Sequence, residues 1–230
     1  MSKTSSTDMV SDADHAAEEA IVGLLGSERP RDGLLGEEGA SVDGESGRRW
    51  VVDPLDGTTN FLYGIPQWAV SIALEDEAGS AVGVVLNPVT DELFRATRGG
   101  GAELNREPIR VREGATLERS LLATGFGYDA ERRRVQAAAA ARVIPRVRDI
   151  RRAGAAALDL AWLAAGRLDG YWERGLKPWD WAAGRLLVAE AGGSVAELEG
   201  EPYGLAAASP SLLPELVALV AEAERGTGAP

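Results

Sequence analysis

Residues 50–61 read Trp-Val-Val-Asp-Pro-Leu-Asp-Gly-Thr-Thr-Asn-Phe, and no other stretch restricts the chain so tightly. Residues 48–53 form a strand that ends on Asp53, with a second carboxylate at Asp56. Pro54 has no N–H and stops strand pairing between them. Gly57 opens a tight turn. Thr58, Thr59 and Asn60 are helix-starting residues, giving a helical turn over 58–63. The segment sets two hard oxygen ligands beside a helix N-terminus. Divalent cations bind the first and phosphate the second, so a site with both suits phosphoryl transfer or phosphate hydrolysis.

The rest of the composition narrows the chemistry. The chain has 230 residues, enough for one large domain or two small ones with a real core. It has no cysteine, which excludes disulfides, thiolate catalysis, iron–sulfur clusters and Cys-bound zinc. A single histidine, His15, argues against a His-based zinc site or a Ser-His-Asp triad. Any metal must be held by carboxylates and carbonyls, as suits magnesium, manganese or calcium. The net charge of −12 argues against non-specific binding to nucleic acid or anionic membrane. It does not argue against an anionic substrate, because clustered carboxylates holding cations reverse the local sign. The polar N-terminus and the lack of a long apolar run predict a soluble, cytoplasmic protein.

Helical spacing of Ala13, Ala16, Ala17, Ala20, Ile21, Leu24 and Leu25 predicts a helix over 12–28, capped by Ser11 or Asp12. Residues 34–36 form a short strand running into Glu37 and Glu38, and 39–47 an exposed loop. Strands over 69–75, 81–86 and 92–97 read as a meander with turns at 78–80 and 87–88. Beyond a loose boundary at 112–120 the rhythm changes. Helices are predicted over 130–143, 154–165, 178–191 and 211–224, with strands over 168–172 and 194–198. The alternation implies an α/β fold of layered α+β type. The division falls between an N-terminal α+β part (1–114) with most of the acids and a C-terminal α/β part (115–230) with Asp180.

Four places offer acids at the ends of elements: Asp14, Glu37 with Glu38, Asp53 with Asp56, and Asp180. Pro178 fits the first turn of the helix that carries Asp180, so this acid faces the positive helix end. Ala182, Ala183 and Gly184 let that helix pack closely on a neighbour. Taken singly, each acid reads as a cap or turn residue. His15 reads as a surface residue, and Trp179 and Trp181 as packing anchors. Arg132–Arg134 and Arg146, Arg148, Arg151 and Arg152 read as solvated faces.

In order along the chain, these motifs resemble the inositol monophosphatase family of magnesium-dependent, lithium-sensitive phosphatases. The carrying segments are Trp50 through Phe61, Gly36-Glu37-Glu38, Trp179 through Gly184, and Glu190-Ala191-Gly192-Gly193. Asp8 and Asp14 fit the family's spacing, and the match spans essentially the whole chain. The resemblance implies alternating helix and sheet layers of the sugar-phosphatase type and a homodimer. It also implies two or three Mg2+ ions, with Mn2+ a possible substitute. Glu37, Asp53 and the carbonyl of Leu55 would hold the first ion. Asp53, Asp56 and Asp180 would hold the second, and a weaker third would share Glu37. Gly57 and Thr58 would cradle phosphate. Asp14 would work with Thr58 to activate the attacking water. Gly154, Ala155, Ala156 and Glu173 would contact a polyol, with Asp56 also on the substrate side. The family also implies one more long helix ahead of the segment that begins at Met1. Position 155 is Ala where some members have Thr, a change that keeps a backbone N–H contact and removes a hydroxyl contact. Arg151-Arg152-Ala153-Gly154 resembles the bacterial branch.

The implied reaction is hydrolysis of a small phosphorylated polyol by metal-activated water, with neither membrane nor direct nucleic-acid binding. Related alternatives are fructose-1,6-bisphosphatase, histidinol-phosphatase and nucleotide 3′-phosphatase activities. A bisphosphate would need a basic patch, for which Arg152 and Arg174 are the nearby candidates. A regulatory binding protein is the alternative from another class; the full acid set favours catalysis.

Overall fold

A computed structural model describes residues 12–226; Asp8 and Ser11 of the sequence reading lie outside them. The chain begins with α1 (Asp12–Glu28) and the strands β1 (Gly33–Gly36), β2 (Ser41–Val42) and β3 (Arg49–Asp56). A five-residue helix α2 (Thr58–Leu62) leads into β4 (Ala69–Asp76), β5 (Gly79–Asn87), β6 (Glu92–Thr97), β7 (Gly101–Leu104) and β8 (Glu107–Pro108). These eight strands form one sheet in the order β2-β1-β3-β4-β5-β6-β7-β8, antiparallel except where β1 and β3 run together. The meander expected from β4 to β6 extends two short strands further. The loop predicted over 39–47 contains the exposed two-residue β2.

The second half carries β9 (Leu121–Thr124), α3 (Ala130–Val143), β10 (Asp149–Arg151), α4 (Ala156–Ala164), β11 (Gly170–Arg174), α5 (Pro178–Glu190), β12 (Ser194–Glu197), β13 (Gly204–Ala208) and α6 (Leu213–Arg225). Its five strands form a mixed sheet in the order β10-β9-β11-β13-β12. Helices α4 and α5 pack on each other, with α5 also against β4, β5 and β6 and α4 also against β11 and β13. On the other face of the small sheet lie α3 and α6. The result is the expected alternation of helix and sheet layers.

Side-chain direction explains the layering. Successive strand residues point to opposite faces. In β13, Leu205 and Ala207 join the core shared with the large sheet and α4–α5, while Ala206 and Ala208 join the core under α6. Tyr171 and Trp172 divide in the same way on β11. A strand buried on both faces loses its polar alternation, which is why 204–208 escapes a sequence reading. Small residues bring α5 close. A Cβ at Gly184 would stand 2.6 Å from the Leu160 Cβ of α4, so only glycine fits without movement. Trp179 and Trp181 pack against the first core as anchors, and Trp181 stacks on Tyr203 at 5.6 Å. His15 is exposed. Among the described residues no helix is long and apolar enough to cross a membrane.

Candidate active site

The site grows from the point where β3 stops being regular. Its register with β4 is continuous from Arg49 to Asp53, then shifts before Asp56. Pro54 lies inside the shift, as a residue without an N–H must. The break leaves Asp53 and Asp56 both buried, 1 % and 7 % exposed. Asp53 Oδ1 accepts from the Leu55 N–H at 3.0 Å. Gly57 then takes φ +96°, a conformation that L side chains rarely adopt, and α2 starts without a side-chain cap. Gly57 also lies against the chain at 154–155: a Cβ there would meet Gly154 O and the Ala155 Cβ at 3.3 Å each. Asn60 fastens that contact, its Nδ2 donating to Gln67 O at 2.7 Å and Ala153 O at 2.8 Å.

Three further elements bring in acids. Asp14, wholly buried on the first turn of α1, accepts from Thr58 Oγ1 at 2.9 Å. The same hydroxyl lies 3.2 Å from Leu55 O. One O–H thus chooses between a carboxylate and a carbonyl. One helical turn on, Glu18 accepts from the N–H of Glu38 at 2.9 Å and of Ala40 at 3.1 Å, holding the turn that carries Glu37. Asp180 sits in the first turn of α5 and accepts from Lys177 N at 2.6 Å. Ser71 explains how α5 arrives there. It pairs with Asp53 across the β3–β4 ladder, and its hydroxyl donates to Trp179 O at 3.3 Å.

Electrostatics show what this crowding does. Burial raises the Asp53 carboxyl well above its ordinary value, and Glu37, Asp56 and Asp180 push it further. Burial does the same for Asp180, with Asp56, Glu37 and Glu173 adding to it. Asp56 is pushed up to about 7, mainly by burial, although the N–H groups of Ala156 at 3.1 Å and Ala157 at 2.7 Å oppose the shift. Several carboxylates that raise one another's pKa demand positive charge among them. Oxygen donors of this kind suit a hard divalent cation, so the set fits the magnesium that the family resemblance implies. Among the described residues no three acids are already gathered as ligands round one point. Backbone N–H groups occupy some of the carboxylate oxygens of Asp53, Asp56 and Asp180.

The residues that the resemblance assigns to a polyol lie on β11 and around the start of α4. Glu173, partly buried, is pushed up to about 7 by burial and accepts from Tyr171 Oη at 2.8 Å. Ala155 is buried beside Gly57, and the Ala156 N–H already serves Asp56. Arg152 is exposed nearby, its Nη2 3.4 Å from Phe126 O, and its charge lowers the Glu173 pKa. Arg174 is committed elsewhere: it pairs with Glu224 and donates to the carbonyls of Glu199, Gly200 and Pro202. It therefore contributes nothing to a basic patch for a second phosphate.

Sequence reasoning passed over Glu18, Ser71, Asn60, Tyr128 and Asp159. Glu18 had a signal in its i, i+4 spacing from Asp14, and Ser71 in being polar within an apolar strand. Asp159 is 1 % exposed within the apolar helix α4, with one carboxylate oxygen unpartnered and its pKa raised well up by burial. Tyr128 had no local signal, since only the fold brings it to Thr59.

Comparison with known proteins identifies relatives of this chain. A family model described as the inositol monophosphatase family matches residues 1–225. An inositol-1-monophosphatase of Rhizobium meliloti is 48 % identical, covering 88 % of this chain and 77 % of that protein. The Nus factor SuhB of Escherichia coli K12 is 43 % identical, covering 86 % and 75 %. The solved structure of an IMPase from Thermotoga maritima superposes with a TM-score of 0.89 at 33 % identity, covering 98 % of this chain and 87 % of that one.

Proposed function

The chain belongs to the inositol monophosphatase family, and we propose that it hydrolyses a phosphate monoester of inositol or a similar polyol with magnesium. The observation that carries this reading is the meeting of Glu37, Asp53, Asp56 and Asp180 beside the Asp14–Thr58 pair. Glu37, Asp53 and the Leu55 carbonyl would hold one ion, and Asp53, Asp56 and Asp180 another. Bound there, the ions would clamp the phosphate, acidify the attacking water and offset charge on the leaving alkoxide.

The chain's own residues supply the rest. Gly57 and Thr58 offer backbone N–H groups to phosphate oxygens from a glycine turn that brings the backbone close. Thr58 Oγ1 takes the proton of the attacking water as it gives its own to Asp14 Oδ1, along the 2.9 Å bond already present. Glu173 accepts from polyol hydroxyls and fixes orientation, and the segment 154–156 forms the adjacent wall. Asp56 ties the two ends together through Ala156 and Ala157.

The test is phosphate release from a panel of phosphorylated polyols, sugar bisphosphates and nucleotides, with magnesium and with excess chelator. Release confined to magnesium, strongest on a polyol monophosphate and slowed by millimolar lithium, is expected. Undiminished release in chelator would overturn the metal assignment. No release from any ester, with a stable protein complex instead, would favour the regulatory alternative.

A further inference from the structure

Residues 126–129, between β9 and α3, are each held by a hydrogen bond, and Gly125 lies against Glu173. The Glu173 carboxylate fills the space that a Cβ at Gly125 would need, so any other residue there would force that carboxylate to move. Phe126 O accepts from Arg152. The Gly127 N–H donates to Gln136 Oε1 at 2.8 Å. Arg133 Nη1 donates to the carbonyls of Gly127 at 3.2 Å and Tyr128 at 2.6 Å. Asp129 accepts from the Arg132 N–H at 2.9 Å and caps α3. From this fixed backbone the Tyr128 side chain stands 45 % exposed. Its hydroxyl is hydrogen-bonded with the side chain of Thr59, the neighbour of Thr58, and the charges of Asp56, Glu37 and Arg152 act on it.

The loop therefore joins the two ends of the site. It rests on the polyol acid at Gly125 and reaches the phosphate motif at Tyr128. A phenol has one donor and two acceptor positions, so its bond with Thr59 leaves capacity for another. We propose that Tyr128 is a specificity-determining residue whose hydroxyl, held by Thr59, hydrogen-bonds a hydroxyl on the alcohol portion of the substrate. The ligand class is a phosphate monoester with several hydroxyls, gripped by Tyr128 on one side and Glu173 on another. This inference rests on the polyol-phosphatase reading above. A site that hydrogen-bonds a substrate hydroxyl discriminates against an analogue lacking it.

The experiment compares kcat/KM for inositol 1-phosphate with that for cyclohexyl phosphate, the same ring without free hydroxyls, in saturating magnesium. The proteins are the wild type, Tyr128→Phe, Thr59→Val and the double variant. Tyr128→Phe keeps the ring and is expected to lower the selectivity ratio by about 10-fold, the worth of one good hydrogen bond. Thr59→Val should lower it less, and the double variant should be no worse than Tyr128→Phe. A structural role would slow both substrates alike. An unchanged ratio in both single variants, with an active wild type, overturns the Tyr128 assignment alone. A wild type that hydrolyses neither ester removes the polyol-phosphatase reading and this inference with it.

Discussion

Strands β3 and β13 are each interior to a sheet, yet they solve opposite problems. β13 is all glycine, leucine and alanine, buried throughout, with unbroken register to β11 and β12. β3 begins in the same way at Val51 and Val52, then breaks register and buries two acids within four residues. Regular backbone satisfies its own polar groups and leaves nothing to react. Where β3 fails as a strand, carboxylates and N–H groups become available to one another and to a ligand. The proposed chemistry collects at that failure and at the first turns of α1 and α5, while the regular strand supplies packing. Damage to β3 should therefore cost rate, and damage to the packed layers should cost stability.

The largest effect that would break this contrast is expected at Asp53. Asp53→Asn should lower kcat by at least ~10²-fold, since it removes charge where the proposed function has two ions depend on it. Thermal stability of the metal-free protein should hold or rise, because a buried acid crowded by other acids is gone. Near-normal turnover, or a collapse of stability with no specific loss of rate, would erase the distinction between the two strands.

Next comes the Asp14–Thr58 bond, which joins α1 to the broken end of β3. Thr58→Ala and Asp14→Asn should each lower kcat by roughly 10²-fold, with little change in substrate or magnesium affinity. The double variant should be little worse than the poorer single, as for parts of one proton path. Steady-state kinetics with magnesium titrated for each protein decides it. Losses that multiply, or a defect confined to magnesium affinity, would make Asp14 a metal-site or structural residue.

The same contrast explains what could be read from the sequence. Irregularity is written in distinctive residues: Pro54, Gly57 and the acids at 53 and 56 announced the β3 break, and Pro178 announced the start of α5. Helix spacing gave α1 and α3 to the residue at most boundaries. Regularity buried on both faces is written in no distinctive pattern. β9 and β13 are absent from the sequence reading because a short apolar strand buried on both faces carries no alternation, and the exposed β10 because three residues are too few to show any period. The residues that support the site were missed for another reason. Asn60 bonds Ala153, Ser71 bonds Trp179, and Tyr128 bonds Thr59, all across long stretches of chain. No local pattern encodes such partners.

On the packing side, Gly184 gives the next effect. Gly184→Ala places a methyl 2.6 Å from the Leu160 Cβ. A cost of about 1–3 kcal/mol is expected from overpacking, reduced by the helix propensity that alanine gains, about 1 kcal/mol. Denaturant unfolding reads the loss, while kcat/KM at a permissive temperature should change less than twofold. A large selective loss of rate would show that α4–α5 packing sets the position of Asp180, joining the two regions that the contrast separates.

Glu173 lies on the regular strand β11 yet belongs to the proposed site, so it offers the smallest and sharpest test. Its pKa is raised to about 7, chiefly by burial, against an ordinary glutamate value of 4.5. An acid with a raised folded pKa holds its proton longer in the folded state than in the unfolded one. Between pH 4.5 and 7 the unfolded state therefore binds fewer protons, and stability falls as pH rises; above 7 the loss is complete and constant. Glu173→Gln does not titrate, and its amide oxygen can still accept from Tyr171. In metal-free protein the variant should thus gain on the wild type as pH rises from 5 to 7.5, by about 1–2 kcal/mol after allowing for partial exposure. Unfolding curves for both proteins at several pH values in chelator measure the difference. The same substitution should raise KM for a polyol phosphate by several-fold while leaving kcat for cyclohexyl phosphate nearly unchanged, because an amide carries no charge to strengthen its acceptance. A pH-independent stability difference would mean that Glu173 is already ionised in the fold at low pH. β11 would then carry a solvated charge rather than a buried one, and the proposed polyol end would be as irregular as the proposed phosphate end.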